Sequence, residues 1–503
     1  MHAMTITMEV YTMRINKKQT LAVLLLAAAL LGTSCGGTTT TTTETTGGET
    51  EAQTAAETLS PLDQTVASLP EKDFGGYEFT IMDRNSEHTP WHTYDVYAES
   101  ETGDAINDAV FQRNRLIEEH FNIKIKEEGV YGPVDNMQKL IIAGDDTIDV
   151  FTDGLNALTK LTTGNMLYDI NDISEIQFDQ PWWDQQIRTE LSIGGKCFFA
   201  TGDISIMDNE GTWCILFNKK LIEDYDLDNP YALVESGTWT IDKMYEMAKA
   251  VAKDVDGDGK MTGADQFGFL TEVYNVYALW VGGNNMIIQK DADDMPVSAM
   301  LNERAATVYD KVLQMQFDTN VSAVAGSSVF PAYSDMNVCF TEGRGLFDYG
   351  AMALISDFRE SETDFGILPS PKLDEAQEMY RNTFSPYNMT AYAIPATAAD
   401  PSRTGMILES MAQVSQHILT PAYMDVSLKG KFVRDEESED MIELVLATRS
   451  YDIGAIFQWG TSFSIFNSAA SSKIGTYASQ VEKSSKALNN AITKYIDQLN
   501  TAE

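Results

Sequence analysis

WTIDKMYEMAKAVAKDVDGDGKMTGADQFGF, residues 239–269, carries three different patterns in one run. Thr240 stands where a helix cap belongs, and Ile241, Met244, Tyr245, Ala248 and Val251 recur at helical spacing. The helix runs into carboxylates at Asp254, Asp256, Asp258 and Asp265. Gly259, Lys260 and Thr262 fall at the positions that a calcium loop fills with a glycine, a backbone carbonyl and a hydroxyl or water. Four carboxylates packed so closely repel one another unless a divalent cation sits among them. Asp265 departs from the pattern, because a longer Glu is usual at the last position; its shorter arm weakens bidentate ligation. The competing reading is a solvated acidic turn. Gln266 to Leu270 then reads as a strand, so the unit is helix–acidic loop–strand, and no second loop of this kind exists. Switching EF-hands are helix–loop–helix and come in pairs, so this one is expected to be a structural Ca2+ staple.

A helix feeding a strand suggests an α/β chain, and the residues to either side agree. Residues 77–82 and 122–127 read as strands, 104–121 and 134–143 as helices, and 148–151 as a short buried strand. That rhythm predicts an α/β unit with a mostly parallel sheet. Residues 195–200 and 212–218 read as two further strands. Cys197, Cys214 and Cys339 each stand among large apolar residues, which favours buried thiols; a Cys197–Cys214 pair stays open.

The N-terminus reads as an address. Arg14, Lys17 and Lys18 precede an apolar run from Leu21 to Leu31, too short to span a bilayer and suited to a signal peptide. Small residues at Thr33 and Ser34 before Cys35 resemble a bacterial lipoprotein cleavage box, with Gly32 where an aliphatic residue is usual. Met13 would be a more typical start than Met1. Residues 36–70 are expected to be a disordered Thr/Gly/Glu-rich spacer, on which a lipidated Cys35 tethers the folded body to the cell's outer face. The remaining chain is too long for one ordinary core. A formal net charge of −40 argues against nucleic acid and anionic lipid surfaces as partners.

Several motifs occur together in an order that resembles the extracellular solute-binding proteins of ABC importers, in their sugar-binding branch. Beside residues 239–269 these are GKCFFATG (195–202), LFNKK (216–220), CFTEG (339–343), LFDYGA (346–351), DFGILPSPK (364–372) and AYAIP (391–395), with PWWD (181–184) as a mark of a narrower group. The resemblance spans roughly residues 75–500. It implies a two-lobed α/β fold of the type II periplasmic-binding-protein kind, with hinge strands and a ligand cleft between the lobes. Residues 71–203 plus 391–430 would form lobe 1, and 204–390 plus 431–503 lobe 2. Crossings would fall near 201–206, 388–393 and 429–433. The cleft would be lined by strand-end residues: Arg84, Asp153, Asp208, Asn209, Tyr274, Tyr349 and Trp459. It further implies a monomer that captures a carbohydrate and hands it to permease subunits.

Enzyme signatures are poor. The only G-x-S-x-G match lies at residues 32–36, inside the leader, and Pro90 between His88 and His92 argues against a helical zinc pair. With 75 acidic residues, any glycosidase pair would be an arbitrary choice. No catalytic residue is assigned. Two other readings remain: a secreted glycan-active enzyme with a structural calcium site, and a surface adhesion module.

Overall fold

Strand β1 (Tyr77–Arg84) is followed by a helix, Ala105–Phe121, whose Ile106, Val110, Ile117 and Phe121 are buried while the opposite face is wet. Asp104 caps it through its side chain, and Asn122 ends it in the left-handed conformation. The chain returns as β2 (Ile123–Val130), crosses again through helix Pro133–Ala143, and adds β3 (Val150–Gly154). These β–α–β steps give parallel pairs: Tyr77 lies opposite Ile123, and Ile81 opposite Val150. A late strand, β11 (Thr390–Ala393), completes the sheet antiparallel to β3, in the order β11-β3-β1-β2. The computed structural model describes residues 59–88, 91–358, 361–428 and 436–500.

The second sheet belongs to the middle of the chain. It has β4 (Trp213–Asn218), β5 (Phe267–Thr271), β8 (Ser322–Val324), β9 (Gly345–Ala351) and β10 (Phe365–Leu368), ordered β10-β4-β9-β5-β8. Here β9-β5-β8 run parallel, while β4 is antiparallel to both its neighbours. A small hairpin, β6 (Ile288–Lys290) with β7 (Pro296–Ser298), lies apart. The helix read from the opening motif forms as Ile241–Val251. Thr240 Oγ1 accepts from Lys243 N at 3.2 Å, and Met244, Ala248 and Val251 are buried.

Two expectations need correction. Pro61–Ser68 is a helix inside the stretch expected to be spacer. Ser60 caps it, Pro61 starts it, and Leu62 and Val66 seat it against the first lobe's core. Residues 195–200 are not a strand: they touch the first sheet by one bridge, Ala200 to Tyr392. Gly194 and Gly195, both at positive φ, turn the chain before it can extend. Cys197, Cys214 and Cys339 are all buried free thiols.

The crossings fall later than read in one case and earlier in another. Ile204 and Ile206 still pack in the first lobe and Trp213 opens β4, so the first crossing runs through the short helix Met207–Glu210. The second runs alongside it: Trp213 N donates to Thr383 O at 2.9 Å, and Ser385 N to Gly211 O at 3.1 Å. The crossing expected at 429–433 lies outside the described residues. On either side of it, helix Leu419–Leu428 packs by Leu419 and Tyr423 against Val110, and helix Glu436–Ala447 by Ile442 and Val445 in the cluster of Phe365 and Ile367. One apolar cluster continues from Phe151 and Leu155 at the first sheet, through Trp213, to Phe269 and Phe347 of the second.

Candidate ligand cleft

The strand ends of both sheets meet at the crossings, and the residues there are mainly tyrosines and carboxylates. Tyr274, just past β5, is 37% exposed and stacks on Trp213 with centroids 5.7 Å apart and planes 28° apart. Next to it, Tyr274 has Glu272, whose pKa is raised by burial. Tyr387, on the second crossing, is 48% exposed, and Gln458 Nε2 donates to its hydroxyl at 2.5 Å. Its backbone is fixed from below: a Cβ on Gly154 would come 2.4 Å from Tyr387 O, so only glycine lets the strand end and the crossing approach. On the first crossing, burial pushes Glu210 up to about 7, with the Tyr94 hydroxyl beside it from the first lobe. Exposed, flat aromatic faces next to carboxylates suit a polyol: rings stack on the apolar face of a pyranose, and acids accept its hydroxyls.

The residues expected at the cleft divide into three groups. Tyr274 stands at the cleft. Arg84 and Asp153 are brought together, Nε to Oδ1 at 3.9 Å, but both are buried and engaged. The Arg84 guanidinium donates to Tyr387 O and Asn388 O at 3.0 and 2.8 Å, and Asp153 accepts from Val134 N and Gly154 N. They bracket the second crossing. Asp208 and Asn209 are likewise taken: Arg449 donates to Asp208 Oδ2 at 3.0 Å, Asn209 Oδ1 at 3.3 Å and Thr212 Oγ1 at 3.1 Å. The same guanidinium reaches Asp184 Oδ2 at 2.5 Å, where the Tyr451 hydroxyl also donates at 2.6 Å. Burial raises Asp208 to about 7 despite Arg449, whereas Asp184 ends below the usual range: burial pushes it up, but Arg449 and Tyr451 outweigh that. Tyr349 and Trp459 sit in packed interior. Tyr349 is fully buried with its hydroxyl 2.6 Å from Ser370 Oγ, and Trp459 is wedged between Phe457 and Tyr495.

The structure also brings Trp213, Glu210, Glu272, Tyr387 and Tyr94 to the candidate cleft, none of which the sequence reading singled out. Trp213 and Glu210 flank the first crossing, so moving that crossing a few residues later would have found them. Tyr387 follows Pro386 directly before the β11 motif, a usable signal for a crossing residue.

The acidic loop stands apart from the cleft. Oxygens of Asp254, Asp256 and Asp265 lie within 4.8 Å of one another. Asp254 accepts from Gly257 N and Gly259 N, both at 2.7 Å. Asp265, nearly fully buried, accepts from Val255 N at 2.8 Å and Thr262 N at 2.7 Å. Those bonds hold Asp265 below the usual carboxylate range. Each carboxylate keeps lone pairs free, so the three fit a hard, oxygen-seeking cation. Asp258 bonds to Lys260 N at 2.8 Å and lies outside this group of three. A separate surface depression of about 730 Å³, lined by Asp228, Thr240, Asp242, Lys243 and Asp374 among others, shares no residue with the tyrosine cleft.

No protein-family model matches the sequence, and no curated protein matches it either. Solved structures do match. A cyclo/maltodextrin-binding protein complexed with maltotetraose is 14% identical, with a TM-score of 0.54 over 84% of this chain and 98% of its own. Apo RafE from Streptococcus pneumoniae is 13% identical at a TM-score of 0.54, over 83% and 98%. An ABC substrate-binding protein from Listeria monocytogenes, in complex with cycloalternan, is 13% identical at 0.51, over 83% and 99%. The chain thus has the two-lobed α/β fold of sugar-binding ABC substrate-binding proteins.

Proposed function

We propose that this protein captures a sugar or oligosaccharide between its lobes and delivers it to the permease of an ABC importer, without chemical turnover. The observation that carries this reading is the part-exposed Tyr274 ring stacked on buried Trp213 at the crossings, set in a fold shared with proteins solved with maltotetraose and cycloalternan. Closure is the working step, because a ligand that touches both lobes favours the closed state by its differential affinity. The leader and Cys35 lie outside the described residues. They support a lipid anchor on the outer face of the membrane, and among the described residues no helix is long and apolar enough to cross one. The Asp254, Asp256 and Asp265 loop would hold Ca2+ as a local staple, with Asp258 and the Lys260 carbonyl completing the sphere. The test is a thermal-shift screen over sugars, oligosaccharides and peptides, then isothermal titration of the best sugar on Tyr274→Ala. Loss of about 2 kcal/mol or more of binding at an unchanged Tm is hot-spot behaviour. No shift with any sugar, or a hit among peptides only, overturns the reading.

A further inference from the structure

Helix Ile453–Phe457 is short, yet its bonds reach both lobes. The second lobe carries it. At the helix start, Asp452 accepts from Gly454 N at 2.8 Å. The same carboxylate accepts from Ile287 N at 2.6 Å and from Ile288 N, which opens β6, at 3.2 Å. The Tyr277 hydroxyl, on the helix Asn275–Gly282 that follows β5, donates to Asp452 Oδ2 at 3.4 Å. Gly454 lets the helix seat this closely, because a Cβ there would lie 2.3 Å from Ile287 Cγ2.

The other end of the same helix is bonded across to the first lobe. It packs against helix Leu155–Leu158, which continues directly from β3. Asn156 Nδ2 donates to Ile456 O at 2.7 Å. Gln458, the next residue after the helix, donates from Nε2 to the Tyr387 hydroxyl on the second crossing. Its backbone is left-handed, with φ at 48°, a conformation that costs any residue with a Cβ. Such strain persists where the surroundings over-determine it. The bond to Tyr387 is that constraint. Asn156 and Gln458 are only half-buried and Tyr387 is exposed, so water can replace these bonds when they break. The C-terminal helix repeats the arrangement: the Tyr477 hydroxyl donates to Met300 O at 2.9 Å, while Tyr495 meets the Thr162 side chain of the first lobe.

We infer that helix Ile453–Phe457 with Gln458 is a latch, carried by the second lobe and fastened by Asn156 and Tyr387 to the first lobe and the second crossing. The chain's own bonds hold the lobes together, so opening is a step in its own right. Solute entry then waits on the open fraction, and apparent affinity falls by that fraction. The inference holds whichever solute the cleft takes.

The experiment places spin labels at Ile142→Cys in the first lobe and Val338→Cys in the second, both exposed positions, in Cys35→Ser protein, whose other cysteines are buried. Double electron–electron resonance then reads the distance between the labels with no solute added. With the latch intact, one narrow distance is expected. Asn156→Asp turns a donor into an acceptor, and Gln458→Gly removes the amide while relieving the left-handed backbone. Together they should add a longer, broader distance while Tm holds. Should the pair lower Tm, Gln458→Gly alone decides: glycine suits that backbone, so its Tm should hold or rise while the longer distance still appears. A distribution that these variants leave unchanged overturns the inference. So does an intact latch that already gives mainly the longer distance.

Discussion

Arg449 shows how one side chain can hold a hinge. Its guanidinium joins Asp184, Asp208, Asn209 and Thr212, while its neighbours Thr448 and Ser450 bond to Asn382, just before the second crossing. Arg449→Ala leaves two buried carboxylates unpaired and is expected to cost about 3–5 kcal/mol of stability, read by urea denaturation. A loss under 1 kcal/mol would show that the carboxylates find water instead. A second prediction concerns Glu210. Its folded pKa, about 7, exceeds the usual Glu value, so between those two pH values the folded state binds the extra proton. Stability therefore falls as pH rises through that window, and the cost is complete above pH 7; a raised acid pKa of this size is worth ~3 kcal/mol. Wild type should melt higher at pH 5.5 than at pH 8, and Glu210→Gln should flatten that slope. An unchanged slope in the variant would assign the effect to other groups. At this scale the sequence was least legible. Asp208 and Tyr349 are residue types suited to a sugar, yet one is spent on Arg449 and the other faces inward. Which side of a strand end faces the cleft depends on register and on distant partners such as Arg449, and a lone sequence carries neither.

Elements were read far better, because periodicity and caps are local. The helix after Thr240, the acidic loop and β5 all stand within a residue or two of their expected limits. The exceptions have local causes too: Gly194 and Gly195 turn a stretch whose composition looked extended, and Leu62 and Val66 gave an apolar stripe to residues counted as spacer. The acidic loop links helix Ile241–Val251 to β5, and Lys253 and Gln266 bond to each other across its base, N to O at 2.9 and 3.1 Å. Metal there would clamp a loop that its own hydrogen bonds already shape. Chelator should lower Tm by a few degrees without unfolding the protein, since a ligand bound only by the folded state stabilises by mass action. Asp256→Ala should abolish that shift; identical melting with and without chelator in wild type would exclude a bound ion.

At the scale of the molecule, order was the useful signal. Each motif alone was weak, but their sequence along the chain led to two lobes, and the fold has that form. The anchor belongs here as well: Cys35→Ser should release a folded, soluble protein from membranes, and retention of the variant in the membrane fraction would refute lipidation. One feature reaches further. The apolar cluster that passes from Phe151 through Trp213 to Phe347 runs past the crossings beside the buried polar network of Arg449. Each half therefore keeps a raw hydrophobic edge that only the other half covers. Calorimetry should then record one melting transition with matching calorimetric and van't Hoff enthalpies, not two. Either lobe made alone should aggregate, however complete its own sheet.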